Sequence, residues 1–389
     1  MRLISLILLT ALFLTGCSQS EEIKVASQLA KCEMIRTPNS VNLDFRPVPR
    51  WNYSSGLQLY AMLKLAHYTG DREMADYVYA YADSLIDEKG IIYGYELDEY
   101  NIDNVNAGKL LFDLYDETGE ERFRIAADTL RSQMRSHPRT AEGGWWHKKV
   151  YEHQMWLDGL YMGAPFVAQW AERNNENVGW DIMRQFIIVG NHTYDTGTSL
   201  YRHGWDESRS MCWADSITGQ SQHAWGRANG WYMMAMADVL EIVNDTVQGR
   251  ADVLTIFNNL AEALLSVRDE ETGLWYQVLD CPGYDGNYIE SSCSAMFIYA
   301  FLKGARLGLL PESFATIGKE AYQQFLNKFI EEDEGGMTTI TDCCSVAGLG
   351  GKNMRDGSFE YYISEPIRNN DPKVIGPFIL ASLEMDLAK

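Results

Sequence analysis

The chain has 389 residues, 46% of them hydrophobic and 22% charged, and a formal net charge of −21. That balance excludes a nucleic-acid binder, which needs clustered Lys and Arg to neutralise phosphates, and no such cluster is present. With 11 Trp, 22 Tyr and 14 Phe there is ample apolar area for a core, which excludes a disordered chain. So many aromatics on an acidic chain also suit stacking on sugars, although most must simply pack. An acidic ligand would need a local basic pocket, because long-range steering opposes it.

Residues 1–16 read as an address. Met1-Arg2 precedes an apolar run from Leu3 to Leu14, followed by Thr15-Gly16-Cys17. A basic start, a hydrophobic segment and a small residue at the cut describe a secretory signal, and the run is short for a span of ~20 residues. The Gly-Cys ending resembles a bacterial lipobox. That implies cleavage before Cys17, lipidation of Cys17, and a lipid-anchored protein on a periplasmic or surface face of the cell envelope, with the anchor its only tie to membrane. The other reading is an ordinary export signal with a chance cysteine. Residues 17–389 are then expected to form one domain. Its six remaining cysteines lack the paired spacing of a zinc site and do not make a disulfide scaffold; no bridge is assigned, and Cys343-Cys344 reads as two small packing residues.

From residue 22 onward apolar residues recur at intervals of three and four, and alternation with period two is rare. The spacing predicts helices over 22–35, 54–68, 72–87, 104–116, 121–135, 158–173, 178–194, 228–243, 250–268, 292–307, 312–330 and 376–387. Tight turns such as Tyr68-Thr69-Gly70-Asp71 and Glu117-Thr118-Gly119-Glu120 join neighbours, with Gly as the stop and an acid in the next first turn. One helix of each pair opens on small residues, as in Ser54-Ser55-Gly56, Asn106-Ala107-Gly108, Asp158-Gly159, Ala228-Asn229-Gly230 and Ser291-Ser292. Its partner carries more charge. Small openings permit close approach around an axis, and charged faces suit an outer layer. The expected fold is therefore all-α: six hairpins closed into an (α/α)6 barrel, which needs no capping repeats. An open solenoid or a helical stack remains the alternative. Long connections at 136–153, 195–227, 269–291 and 331–375 are rich in Gly, Trp, His and charge, and loops of that length commonly carry function.

The candidate chemistry lies at helix starts. Asp158, in Trp156-Leu157-Asp158-Gly159-Leu160-Tyr161-Met162-Gly163-Ala164-Pro165, stands before an apolar helix, and so does Asp103 in Asn101-Ile102-Asp103-Asn104-Val105-Asn106-Ala107-Gly108. Either could simply be a helix cap. In a toroid both would project into one mouth, where two close carboxylates cannot both ionise cheaply and one becomes available as a general acid. The helix dipole opposes this, so the acid also needs burial among aromatics such as Trp156 and Tyr161. Trp225-Gly226-Arg227-Ala228-Asn229-Gly230-Trp231-Tyr232 offers a permanent cation with aromatic platforms; the alternative is an Arg paired to a protein carboxylate beside structural tryptophans. His203 in Arg202-His203-Gly204-Trp205-Asp206, and His147 in Trp145-Trp146-His147-Lys148, sit in the long loops, where a hydrogen-bonded structural role is the alternative. There is no phosphate-gripping Gly loop, no Gly-x-Ser-x-Gly elbow, no His-Glu-x-x-His and no EF-hand loop. No metal and no cofactor is expected.

These runs, together with Ser294-Ala295-Met296-Phe297, resemble glycoside hydrolase family 105, the unsaturated rhamnogalacturonyl hydrolases, which are relatives of the family 88 unsaturated glucuronyl hydrolases. The likeness extends over nearly all of residues 17–389 and implies an (α/α)6 barrel that takes an unsaturated uronate-terminated oligosaccharide. By motif it implies Asp158 as general acid/base and Asp103 as the second active-site acid. It also implies substrate-pocket positions for His203, Arg227, Trp231, His147 and Trp156. Ala228 departs from the family's usual Gly, and the match at Cys344-Ser345-Val346-Ala347-Gly348 is looser. The implied reaction is hydration of the substrate's C4–C5 double bond, unlike displacement at the anomeric carbon by two carboxylates. Action on glycosaminoglycan-type glucuronides and a non-catalytic, lipid-anchored glycan-binding protein are the alternatives. A sugar epimerase would call for paired histidines that this sequence lacks.

Overall fold

Whether a helix faces one neighbour or is surrounded is written in its residues. In the computed structural model, which describes residues 19–45 and 48–388, two kinds of helix alternate. One kind forms the inner ring. It comprises α2 (Tyr53–Thr69), the pair α4 (Asp103–Asn106) and α5 (Lys109–Thr118), α7 (Leu157–Asn174), α9 (Gly226–Ile242), α11 (Ser291–Arg306) and α14 (Pro372–Leu387). In α9, α11 and α14 nearly every residue from the first turn onward is buried, as expected for helices inside a larger core. The other kind keeps a charged outer face. It comprises α1 (Glu21–Arg36), α3 (Arg72–Leu85), α6 (Glu121–Ser136), α8 (Gly179–Thr193), α10 (Arg250–Ser266) and α12 (Ser313–Phe329). The signal segment 1–16 and Cys17 lie outside the described residues.

The inner helices touch in chain order, α2 to α4 and α5, then α7, α9, α11 and α14, and α14 returns to α2. That last contact closes the ring and rules out an open solenoid. Outer helices pack against the inner ones, α1 on α14, α3 on α2, α6 on α5 and α7, α8 on α7, α10 on α9, and α12 on α11. The tight turns form as their residues dictate. Gly70 ends α2 in the left-handed region at φ 74°, where a side chain would be strained, and the Asp71 carboxylate then accepts from Met74 N to cap α3.

Two elements differ from the spacing-based expectation by more than a residue or two at their ends. The helix expected over 104–116 is pinched at Ala107-Gly108, where hydrogen bonds tighten to the i→i+3 pattern (Gly108 N to the Val105 carbonyl, 2.9 Å; Leu111 N to the Gly108 carbonyl, 3.1 Å). The cause is close approach: a Cβ on Gly56 of α2 would collide with Ala107. We expect Gly56→Ala to lower unfolding stability by about 1–3 kcal/mol, read from denaturant titration, because backbone has to move to admit the methyl group. The last helix starts at Pro372, not at 376, with Asp371 as its cap and Pro at the first position. A short helix, α13 (Phe359–Ser364), lies inside the connection 331–375 and has no counterpart in the periodicity.

The long connections are stitched by three two-stranded antiparallel ladders. Strand β1 (Gln154–Trp156) pairs with β2 (Gly204–Asp206), with Trp156 opposite Gly204. β3 (Ile330–Glu332) pairs with β4 (Thr338–Ile340), and β5 (Cys343–Cys344) with β6 (Ile367–Arg368). A small apolar cluster of Trp156, Trp213 and Leu349, flanked by Tyr151 and Met211, holds three of these loops together. No helix among the described residues is long and apolar enough to cross a membrane.

Candidate active site

Because inner and outer helices alternate in direction, all inner helices start at the same end of the ring. Backbone hydrogen bonds sew those starts to the long loops: Leu157 N donates to the His203 carbonyl, Gly226 N to Gln277, and Ser291 N to Asp342. The chemistry-bearing residues gather there.

Asp103 is the first residue of α4 and Asp158 the second of α7. Neither caps its helix. The residues before the two helices are Ile102 and Trp156, and neither aspartate's side chain accepts a backbone N–H at its own helix start; at α4 Asn101 Oδ1 does so, from Asp103 N at 3.2 Å. The capping alternative is thereby removed, and both carboxylates are available for other work. Asp158 Oδ2 lies 3.2 Å from His203 Nε2, with 13% of the Asp158 side chain exposed. Asp103 Oδ2 sits 2.5 Å from Lys148 Nζ, and its Oδ1 is 3.5 Å from His147 Nε2. The lack of a side chain at Gly159 lets His147 seat against the start of α7, where an added Cβ would be 3.1 Å from its Nδ1. One imidazole thus lies between the two acids and feels the charge of both.

An aromatic wall lines this corner. Trp156 stacks on His147 at 4.3 Å between centroids, Tyr151 stacks on Trp156 at 4.8 Å, and His203 meets Trp156 edge-on at 5.4 Å. Trp225 closes the far side of His203 at 4.8 Å. The electrostatics differ between the members. Burial alone raises the Asp103 carboxyl, but Lys148 and Arg50 outweigh it and pull it below the ordinary carboxylate range, so Asp103 stays ionised. Burial pushes His147 down to about 4 despite the nearby acids, which leaves it neutral at physiological pH.

His137, hydrogen-bonded through Nε2 to the Trp146 carbonyl at 2.7 Å, is likewise pushed down to about 4, mainly by burial. Both histidines protonate at higher pH in the unfolded chain, so below about pH 6.5 the unfolded state binds more protons and stability is lost as the pH falls. Thermal melts at pH 7 and pH 5 are expected to differ by up to about 2 kcal/mol per histidine, with less stability at pH 5. His137→Gln is expected to reduce that difference by about half; an unchanged slope would show that this residue does not titrate in that window.

Two expected pocket residues are placed differently. Arg227 is 1% exposed and turned into protein: Nε donates to Ser292 Oγ at 2.7 Å, and Nη2 to Glu290 Oε1 at 3.4 Å and to the Cys344 carbonyl. This is the alternative of an Arg paired with a protein carboxylate, brought about because β5 and the start of α11 fold over it. Trp231 lies one turn inside α9, fully buried, stacked on Tyr161 at 4.9 Å and edge-on to Tyr53 at 6.4 Å, so it packs and offers no open face. Asp158, Asp103, His203, His147 and Trp156 are brought together.

Sequence reading missed Lys148, Tyr151 and Tyr362. The first two sit inside or next to a motif already noted, so adjacency was a usable signal. Tyr362, whose hydroxyl is 2.8 Å from His203 Nδ1, comes from α13 and is 159 residues away in sequence; no local pattern marks it.

The family model for Glycosyl Hydrolase Family 88 matches residues 25–388. A structure of a family 105 glycoside hydrolase from C. acetobutylicum ATCC 824 superposes with a TM-score of 0.89 at 45% identity, over 94% of this chain and 99% of that one. The chain belongs to the glycoside hydrolase 88/105 group. Among curated relatives, Protein Atu3128 of Agrobacterium fabrum is 40% identical over 230 residues, covering 57% of this chain and 97% of that protein. Unsaturated rhamnogalacturonyl hydrolase YesR of Bacillus subtilis is 26% identical over 264 residues, or 66% of this chain and 72% of that protein. An unsaturated glucuronyl hydrolase from Bacillus sp. GL1 shares the fold at TM-score 0.68 and 15% identity, over 94% of this chain and 96% of that one. The 88/105 chain described here is thus an (α/α)6-barrel glycoside hydrolase, with its acidic pair at the end of the barrel where the inner helices begin.

Proposed function

We propose that this enzyme removes the terminal 4,5-unsaturated galacturonate from lyase-generated pectic (rhamnogalacturonan) oligosaccharides. The observation that carries the reading is the unequal pair of acids: Asp103 held ionised by Lys148, and Asp158 uncommitted to any cap, with one neutral imidazole between them. Such a pair suits one residue that gives and takes a proton beside another that stays charged. The name of the relative YesR and the 45% identity to a family 105 enzyme support the substrate class.

The substrate is an enol ether, with its double bond joined to the ring oxygen and the carboxylate. Asp158 gives its proton to C4, the alkene electron pair forms the new C–H bond, and the ring oxygen stabilises the cation at C5. Water adds at C5 and loses a proton to Asp158, which is restored. The resulting hemiketal opens to a ketone, leaving a hemiacetal at C1 that expels the alcohol of the next sugar. One water is consumed. Asp103 orients sugar hydroxyls or the attacking water, and Lys148 supplies a cation near the uronate. Trp156 and Tyr151 give the ring an apolar wall.

Incubation with lyase-generated oligosaccharides tests the reading by following enoate absorbance and released sugars. Loss of absorbance on pectic fragments, and little on glycosaminoglycan fragments, is expected. The reverse preference would assign a glucuronide substrate, and binding without absorbance loss would make this a glycan-binding protein. We also propose that Cys17 is lipidated after removal of 1–16, anchoring the enzyme to the cell envelope. Labelling with a fatty acid, lost in Cys17→Ala, is the expected result.

A further inference from the structure

Asp158 Oδ2 and His203 Nε2 are both buried and both lack a hydrogen bond in their own right, yet they lie 3.2 Å apart. What they do to one another depends on which His203 nitrogen carries the proton. The other nitrogen, Nδ1, is 2.8 Å from the hydroxyl of Tyr362, a fully buried residue of α13. If Nδ1–H donated to Tyr362, the hydroxyl hydrogen would need an acceptor of its own, and among the described residues Tyr362 Oη has no other hydrogen-bond partner. If instead the hydroxyl donates to Nδ1, the histidine proton resides on Nε2, the nitrogen that lies 3.2 Å from Asp158 Oδ2. Only the second arrangement gives the Tyr362 hydroxyl hydrogen an acceptor.

We infer that Tyr362 is a positioning residue: its hydroxyl holds His203 in the Nε2–H tautomer, so that a hydrogen-bond donor faces Asp158. This deepens the proposed function and rests on it. The donor acts on Asp158 after it has given up its proton, stabilising the carboxylate that forms as C4 is protonated. Burial pushes the Tyr362 hydroxyl far above its ordinary range, so it remains a donor at any assay pH. Other ionisable groups around the relay are His147, Asp103 with Lys148, and, on the Tyr362 side, Tyr361, Asp280 and Arg355. None of these reaches His203 Nδ1 within hydrogen-bond distance, so none substitutes for Tyr362.

Two measurements test this. In the first, the protein is labelled with 15N-histidine, and the His203 signal is assigned by its loss in His203→Gln. The ring shifts at neutral pH, without substrate, should be those of the Nε2–H tautomer; the Nδ1–H tautomer overturns the inference. In the second, Tyr362→Phe is compared with Tyr232→Phe, which also deletes one buried hydroxyl, there bonded to the Phe186 carbonyl at 2.7 Å, away from the acids. Tyr362→Phe should lower kcat about tenfold, with KM within about twofold of wild type. Its basic limb of the kcat–pH profile should move to higher pH, because the carboxylate form has lost a donor. Tyr232→Phe should leave both unchanged. A Tyr362→Phe enzyme whose kcat and basic limb match those of Tyr232→Phe overturns the inference, as does a loss confined to KM. Should Tyr362→Phe not fold, the tautomer decides alone. Failure of the proposed function would show separately, as wild-type protein that leaves every unsaturated oligosaccharide intact.

Discussion

Asp158→Asn is expected to lower kcat on unsaturated oligosaccharides by about 10²–10⁴-fold or more, the usual worth of a positioned acid and base. The amide cannot give a proton to C4 or receive one from water, so both halves of the reaction lose their carrier. The fold should remain, because Asp158 caps nothing and its neighbours Leu157 and Gly159 are set by the start of α7. Circular dichroism and thermal melting should therefore match wild type while enoate absorbance stays constant. A folded Asp158→Asn enzyme with full activity would remove Asp158 from the mechanism. Asp103→Asn is the useful comparison: it keeps the proton carrier but removes the fixed charge beside Lys148, so some activity should survive.

Arg227→Met should show up first as lost stability, by about 3–5 kcal/mol in denaturant titration, since it leaves Glu290 buried without its cation. Glu290 is fully buried and also accepts from Ser292 Oγ, Cys293 N and Cys344 N, so it ties α11 to β5. The double variant Arg227→Met with Glu290→Gln removes both charges and is expected to recover part of the loss. If Arg227→Met instead folded as stably as wild type and only raised KM, the guanidinium would belong to the substrate and not to Glu290.

The two acids illustrate how far sequence reasoning reaches. Asp103 and Asp158 each stand at a helix start in a run of small and apolar residues, and an alternating ring brings such starts to one end; their meeting was foreseeable from period and order. Arg227 looked equally poised, flanked by two Trp residues. Its partner Glu290 lies 63 positions away on the start of another inner helix, so nothing local marked the pairing. The break at Ala107-Gly108 escaped for the same reason. The apolar spacing runs straight through it, and only the approach of Gly56 from α2 tightens the turn.

The amino-acid order alone determined most of the helices, their inner and outer assignment, most turns and the positions of the acids, because helical periodicity and Gly or Asp punctuation act within a few residues. Which polar or charged group pairs with which was decided only by the folded ring. That holds for Lys148 on Asp103, Glu290 on Arg227, and Tyr362 on His203. Burial and electrostatic balance depend on side chains arriving from distant segments, and closing α14 onto α2 is what brings those segments within reach.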